Sequence, residues 1–297
     1  MRLILILGSA TILIASGLAC SPTARSDDSN DQGVTVVAAF YPLFEAAERV
    51  GGKRAEVANV TPPGAEPHDI ELSPDQVDQL LDADVALYLG SGFQPAVEQV
   101  AEQSDGITVD VLAEVAPQEA TDPHVWLDPV LMAEIVDAVE RALSKADPQG
   151  STTYQGRATE FREDIGGLNE EFERGLEDCE HRIFITTHAA FGHLALRYGL
   201  VQRSIAGIEP ESEPDPARLA ELEDLVRREG VTTVFTEPLV SPRVAETLAR
   251  ETGARVATLD PVEGLSSHQL QAGASYVSVM RQNLTALREA LGCRGAV

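Results

Sequence analysis

Three histidines and one aspartate each lie in a loop that follows a predicted β-strand. His68 and His124 follow strands in the first half of the chain, and His188 and Asp260 follow strands in the second half. Three imidazoles and one carboxylate form a tetrahedral set that suits Zn²⁺. Imidazole also suits copper, nickel and iron, and carboxylate suits manganese, so the ligand types alone leave the metal open.

The loop that carries His68 is predicted to be stiff. It runs from Thr61 to Pro74, and three prolines and a glycine precede the histidine. Proline and the residue before it avoid helical conformations, so the segment should be extended. Ser73 and Gln76 then predict a capping box at the start of a helix. A single loop histidine is more often merely solvated, so this segment alone is weak evidence for a metal site.

His124 and His188 have less distinctive surroundings. His124 lies just before a helix that is predicted to begin at Asp128 and Pro129, and Trp126 is two residues away. The alternative interpretation is that Trp126 belongs to the core and that His124 only packs beside it. His188 directly follows a predicted strand. His124 and His188 become stronger candidates for metal ligands only because, like His68, each follows a predicted strand.

Strands alternate with helices along the chain, which predicts an α/β fold with parallel sheets. The chain forms two such blocks, of about four strands each. In open parallel sheets, ligands bind beyond the carboxyl ends of the strands. Each block therefore offers two of the four candidate ligands. The predicted strands are residues 34–39, 55–60, 85–89, 107–112, 182–187, 201–206, 231–235 and 255–259.

A long helix is predicted between the two blocks, over residues 151–178. Its apolar residues recur at intervals of three and four, which places them on one face of a helix. Gly166 and Gly167 weaken the helix by about 1 kcal/mol each. A long helix with one apolar stripe between two βα blocks indicates a connecting element. The stripe consists of Phe161, Ile165, Leu168, Phe172 and Leu176.

Several segments together resemble the zinc- and manganese-specific substrate-binding lipoproteins of ABC importers, known as cluster A-I. The resemblance covers about residues 34–293, and the combination of motifs is highly specific. The segments are GAEPHDIELSP at 64–74, DPHVWLDP at 122–129, HAAFGHLALRYGL at 188–200 and LDP at 259–261.

This resemblance implies two Rossmann-like lobes joined by a long rigid helix, with the metal bound between the lobes. The family's four ligands correspond to His68, His124, His188 and Asp260. A histidine rather than a glutamate at position 188 favours zinc over manganese. His193 stands where an aromatic residue is usual, and we expect it to be structural or exposed.

The domain organisation expected from these observations has five parts. A signal peptide, a lipidated tether, an N-terminal lobe, a connecting helix and a C-terminal lobe occupy residues 1–19, 20–33, 34–147, 148–178 and 179–297.

The function implied is extracytoplasmic capture of zinc by a monomer and its delivery to an ABC permease. The alternatives are a manganese-binding protein of the same family and a metal-binding surface adhesin. A zinc enzyme is disfavoured, because a catalytic zinc keeps an open position beside three protein ligands. No His-Glu-x-x-His pattern occurs in the sequence either.

The first residues resemble a secretory signal peptide, with Arg2 before an apolar run and small residues leading to Cys20. The sequence before Cys20 looks like a lipoprotein cleavage site, so we expect Cys20 to be lipidated. The protein would then be held at the outer face of the cell membrane. The alternative is an uncleaved anchor, but the apolar run is short for a membrane-spanning helix.

The charge composition argues against one class of partner, nucleic acid. The formal net charge of −26 disfavours binding to nucleic acid.

If Cys20 is lipidated, Cys179 and Cys293 remain. In an exported protein, two such cysteines predict a disulfide, with two unpaired buried thiols as the alternative.

Overall fold

The computed structural model describes residues 33–115, 122–212 and 214–294. The predicted signal peptide, Cys20 and the rest of the tether before Gly33 lie outside these residues. Within the three ranges, no helix combines the length and the apolar character needed to cross a membrane. The described residues from Gly33 onwards belong to one compact unit. The proposed division of this unit at residues 147 and 178 stays a prediction.

The N-terminal sheet has four parallel strands in the order β2-β1-β3-β4. The central strands are rich in Val, Ala and Leu, as expected when helices cover both faces of a sheet. The strands are β1 (Val34–Ala38), β2 (Ala55–Asn59), β3 (Val85–Tyr88) and β4 (Ile107–Asp110).

The C-terminal sheet repeats this arrangement, with four parallel strands in the order β6-β5-β7-β8. Its strands are β5 (Ile183–Thr186), β6 (Val201–Ser204), β7 (Thr233–Thr236) and β8 (Arg255–Thr258). The predicted fold class, two α/β blocks with parallel sheets and a long helix, is confirmed.

Eleven α-helices accompany the sheets within the described residues. They are α1 (Tyr41–Gly51), α2 (Pro74–Asp82), α3 (Pro95–Ala101), α4 (Val111–Val115), α5 (Pro129–Ala146), α6 (Ser151–Leu176), α7 (Gly192–Arg197), α8 (Pro216–Glu229), α9 (Arg243–Thr252), α10 (Ser267–Gln271) and α11 (Tyr276–Leu291).

The helix starts follow the side chains that precede them. Ser73 and Gln76 form the predicted capping box at α2. Asp128 begins α5 by accepting a hydrogen bond from the backbone N–H of Val130. Such caps satisfy backbone donors that a helix leaves unpaired, and each stabilises by about 1 kcal/mol. They also fix where the preceding ligand-bearing loop must end.

The α6 helix connects the two sheets, and its predicted apolar stripe is buried. The five stripe residues are at most 1% exposed, and side chains from both sheets join them in one core. Burying each one stabilises by roughly 1.5–3 kcal/mol. This gain outweighs the cost of about 1 kcal/mol for each of Gly166 and Gly167, so the helix is continuous.

The predicted strand boundaries differ from the observed ones by one or two residues. The strand predicted to reach residue 112 ends at Asp110, whose side chain accepts from the backbone N–H of Ala113 as α4 begins. The last described helix, α11, begins at Tyr276. Ser275 caps it, and α10 precedes it as a separate short helix.

Cys179 and Cys293 are joined as a disulfide, with their Cα atoms 3.8 Å apart. Cys179 follows α6 and Cys293 follows α11, and the two cysteines also form an isolated antiparallel β-bridge. The link ties the end of the described chain to the segment before β5.

Candidate metal centre

Four buried side chains converge beyond the strand ends, from loops that follow both sheets. They are His68, His124, His188 and Glu263, which we call the His3Glu cluster. One potential ligand atom from each lies within 4.8 Å of all the others. Each residue is at most 3% exposed. Buried ionisable groups need partners or a metal ion, so this convergence requires an explanation.

Four of the six distances between ligand atoms of the His3Glu cluster fit a small tetrahedral ion. Oε1 of Glu263 lies 3.2 Å from Nε2 of His124, 3.2 Å from Nε2 of His188 and 3.5 Å from Nε2 of His68. The Nε2 atoms of His124 and His188 are 3.3 Å apart. Zinc–ligand bonds of about 2.0–2.1 Å in a tetrahedron separate neighbouring ligand atoms by about 3.3 Å.

His124 is held by its own loop. The Asp122 carboxylate contacts Nδ1 of His124 at 2.7 Å and also accepts from the His124 backbone N–H. This contact directs Nε2 towards the cluster. Trp126 is fully buried in the core, as the alternative interpretation holds, but His124 does more than pack beside it, because it joins the cluster. The indole N–H of Trp126 donates to the Pro261 carbonyl at 2.7 Å, which ties this loop to the loop that carries Glu263.

His188 follows β5, as predicted, and Glu237 orients it from the loop after β7. One Glu237 carboxylate oxygen contacts Nδ1 of His188, and the other accepts from the His188 backbone N–H at 3.1 Å. Both residues are nearly inaccessible to solvent. A carboxylate on the second nitrogen of a ligating histidine fixes its tautomer and its ring orientation.

His68 is held less tightly. Its ring packs edge-on against Phe93, with the ring centroids 4.5 Å apart. Neither ring nitrogen of His68 has a hydrogen-bond partner among the described residues. The carboxylates of Glu209 and Glu66 lie nearby, 3.5 Å from Nδ1 and 3.9 Å from Nε2 respectively.

Asp260 does not join the His3Glu cluster, although it was the predicted fourth ligand. Its carboxylate accepts from the backbone N–H of Val262 at 2.8 Å and from the side chain of Gln269 at 3.2 Å. Its backbone N–H and C=O both bond to the Asn283 side chain. These contacts use Asp260 to stabilise the turn, so the expectation for the fourth ligand changes from Asp260 to Glu263.

The turn after Asp260 aims Glu263 at the histidines. Val262 has a φ of +57°, in the left-handed region that β-branched residues rarely adopt. Such strain persists where the surroundings impose it, which is common at functional sites. The Trp126–Pro261 hydrogen bond is one such constraint. Sequence reasoning missed Glu263, although an acid three residues beyond Asp260 in the same loop was an available signal.

Electrostatics couple Glu263 to the histidines. Burial by itself raises the pKa of Glu263, but hydrogen bonds from His124 and His188, together with the nearby His68 ring, bring that pKa well below its usual range. Burial lowers the pKa of His188, yet contacts with Glu237 and Glu263 raise it to about 10. Burial raises the pKa of Asp260 to about 6, against the hydrogen bonds that lower it. Glu263 is thus the anionic centre of the cluster.

His193 has a structural contact, which agrees with one of its two expected roles. Its Nε2 lies 2.9 Å from the backbone carbonyl of Asp122. His193 lies in α7, in the second half of the chain, and it supports the loop that orients His124. It does not belong to the His3Glu cluster.

The matching family model is described as zinc-uptake complex component A, periplasmic, and it covers residues 36–290. The high-affinity zinc uptake system protein ZnuA of Bacillus subtilis is 32% identical, with 95% of each chain covered. The chain spans 55% of the length of the zinc-binding protein AdcA of Streptococcus pyogenes, to which it is 33% identical over 86% of its own length.

Solved structures agree with the fold. The Zn(II)-bound ZnuA-like domain of Streptococcus pneumoniae AdcA is 33% identical, with a TM-score of 0.76, and the match covers 87% of this chain and 99% of that one. The laminin-binding protein Lmb of Streptococcus agalactiae is 32% identical, with a TM-score of 0.81 and 87% and 100% coverage. Lmb is described as bifunctional, with adhesin and metal-transporting activity.

Proposed function

Because the chain belongs to the family of periplasmic component A of zinc-uptake complexes, we propose that it captures Zn²⁺ outside the cytoplasmic membrane and delivers it to an ABC permease. The observation that carries this proposal is the His3Glu cluster. Four of the six distances among its buried ligand atoms are 3.2–3.5 Å, close to those of a tetrahedral zinc shell.

In this proposal, His68, His124 and His188 bind zinc through Nε2, and Glu263 supplies the fourth ligand and a negative charge. Asp122 and Glu237 orient two of the histidines. A shell closed by four side chains suits binding and release of the ion rather than catalysis, which needs an open position. The ion is thus the cargo of the protein.

Competitive titration tests the choice of metal. We expect protein purified without added metal to contain about one zinc per chain, because four protein ligands define one site. Zinc should displace Mn²⁺ at equal free concentrations, because imidazole ligands and the Irving–Williams order both favour zinc. A preference for Mn²⁺ in the titration would refute the zinc assignment and leave the manganese alternative.

We further propose that a lipid on Cys20 holds the protein, as a monomer, at the outer face of the membrane. The sequence before Cys20 supports this anchor, and lipoproteins carry more than one acyl chain, as stable anchoring requires. Cys20→Ser should move the protein into the soluble fraction. Retention of the variant in the membrane fraction under the same treatment would show that another segment anchors it.

The adhesin alternative has its support in the description of the Streptococcus agalactiae relative. Metal exchange separates the two functions. A carrier must release its ion to the permease, so zinc should exchange with added isotopically labelled zinc. A site that only stabilises an adhesive surface has no need to exchange its ion, and retention of the original zinc would favour that function.

A further inference from the structure

The three histidines of the His3Glu cluster differ in what contacts Nδ1, the ring nitrogen opposite the ligand nitrogen. His124 has Asp122 at this atom and His188 has Glu237, both within hydrogen-bonding distance. Each of these pairs lies within one half of the molecule. The Nδ1 of His68 is buried and has no hydrogen-bond partner among the described residues.

The carboxylate nearest to that nitrogen belongs to Glu209, which lies in the other half of the chain, in the loop between β6 and α8. One Glu209 oxygen is 3.5 Å from Nδ1 of His68, just beyond a normal hydrogen bond. The His68 side chain is 1% exposed, whereas that of Glu209 is 59% exposed. The histidine is therefore buried, whereas the side chain of the glutamate has room to move.

The backbone beside Glu209 is anchored. The Gly207 carbonyl accepts from the backbone N–H of Ala189, next to His188, at 2.8 Å. The Ser212 hydroxyl donates to the Glu209 carbonyl at 2.7 Å. A change of the Glu209 side-chain torsions alone could therefore close the remaining distance to His68.

From these contacts we infer that Glu209 is a positioning residue that accepts a hydrogen bond from Nδ1 of His68, in the opposite half of the molecule, and slows the release of zinc. This inference rests on the proposed zinc-binding function. When zinc binds Nε2, Nδ1 carries a proton and needs an acceptor, and a buried donor without one costs about 1–3 kcal/mol. Glu209 fills for His68 the role that Asp122 and Glu237 fill for the other histidines.

Because Glu209 and His68 lie in opposite halves, we call their contact a latch, meaning a hydrogen bond that holds the two loops together. Asp122 and Glu237 hold histidines of their own halves, so these two contacts persist when the distance between the halves changes. The His68–Glu209 contact joins residues from opposite halves, so it breaks when the two loops separate. When this contact breaks, His68 loses the group that orients it, and zinc is released at the side of the site where the Glu209 carboxylate is exposed.

Zinc release into excess chelator, followed by stopped flow, tests the latch. Glu209→Ala should speed release by about tenfold, at the lower end of the range for groups that orient a metal ligand, because exposure weakens the contact. Glu209→Gln retains an acceptor oxygen and should give an intermediate rate. Glu211→Ala is the matched control, since Glu211 is exposed on the same loop and carries the same charge.

Equal release rates for Glu209→Ala and Glu211→Ala would overturn the inference, and so would a Gln variant as fast as the Ala variant. The melting temperature of the metal-free protein should be the same in all three variants. A lower melting temperature for Glu209→Ala alone would assign Glu209 a structural role instead. If the unmodified protein fails to retain stoichiometric zinc, this result refutes the proposed function as well as the latch.

Discussion

The two halves of the molecule repeat one architecture but contribute different chemistry to the His3Glu cluster. Residues 33–147, the N-terminal half, contain two of the histidines, and residues 179–294, the C-terminal half, contain His188 and Glu263. The sheets have the same strand order. Among the described residues, neither half alone contributes more than two side chains to this cluster, so an ion bound there would couple the halves.

The ligands also differ in how each half positions them. His68 and His188 lie in loops that follow strands, where parallel sheets present their binding edge. The helix α4 stands between β4 and the segment that carries His124. Glu263 instead depends on a strained turn at Val262 and on a hydrogen bond from Trp126 in the N-terminal half. A repeated fold therefore explains the positions of His68 and His188, whereas the direction of the Glu263 carboxylate depends on contacts between the halves.

The largest effect on zinc binding should come from the carboxylate of this turn. Glu263→Gln removes the negative charge of the His3Glu cluster and should weaken zinc affinity at least about 100-fold, the upper end of the range for groups that only orient a ligand. Asp260→Asn is the control three residues away. It should leave the affinity within about tenfold, and isothermal titration calorimetry can compare the two.

The control should also fold. The pKa of Asp260 is raised to about 6, mainly by burial, so ionised Asp260 destabilises the fold as pH rises from the unfolded-state value through 6. An asparagine has no such charge and keeps an oxygen for the Val262 N–H. A large loss of zinc affinity in Asp260→Asn, with little loss in Glu263→Gln, would restore Asp260 as the ligand.

A smaller effect is expected at the carboxylates that orient histidines within each half. Glu237→Gln and Asp122→Asn should each weaken zinc affinity by roughly 10–100-fold, because their histidines lose the fixed tautomer. The effect should be larger for Glu237, whose side chain is 1% exposed against 22% for Asp122. Equal losses would mean that burial does not distinguish the two halves.

The smallest effect on zinc binding is expected from the disulfide, which only the C-terminal half contains. Replacing Cys179 and Cys293 by serine opens a link with a sequence separation of 114. In the chain-entropy model this lowers the free energy of unfolding by about 4–5 kcal/mol. Thermal melting and zinc stoichiometry should show a lower melting temperature with about one zinc per chain retained.

Thiol counting provides the control for that comparison. Denatured, unreduced protein carrying Cys20→Ser should show no free thiol. Two free thiols would mean that the cysteines are unpaired, and the serine replacements should then leave stability nearly unchanged.

Local patterns in the sequence predict most of the fold. The capping box at Ser73 and the apolar stripe of α6 depend on residues close together in the chain, and both occur as predicted. The positions of His68 and His188 after strands also follow from the order of elements, whereas the predicted position of His124 directly after a strand is wrong, because α4 lies between β4 and His124. The other predictions succeed because the pattern of strands and helices determines where along the chain each loop occurs.

The choice between Asp260 and Glu263 could not be made in this way. It depends on side-chain direction, which the left-handed Val262, the Asn283 contacts and the Trp126–Pro261 bond determine. Trp126 and Asn283 are distant from this turn in sequence. No spacing rule relates them to Glu263, so the strand end at Asp260 was the nearest available guide.

The most direct test of the His3Glu cluster is a crystal structure of the zinc-loaded protein with anomalous data collected at the zinc edge. We predict one strong anomalous peak, within bonding distance of Nε2 of His68, His124 and His188 and of a carboxylate oxygen of Glu263. A peak bound by Asp260 in place of Glu263, or located away from these histidines, would contradict the account.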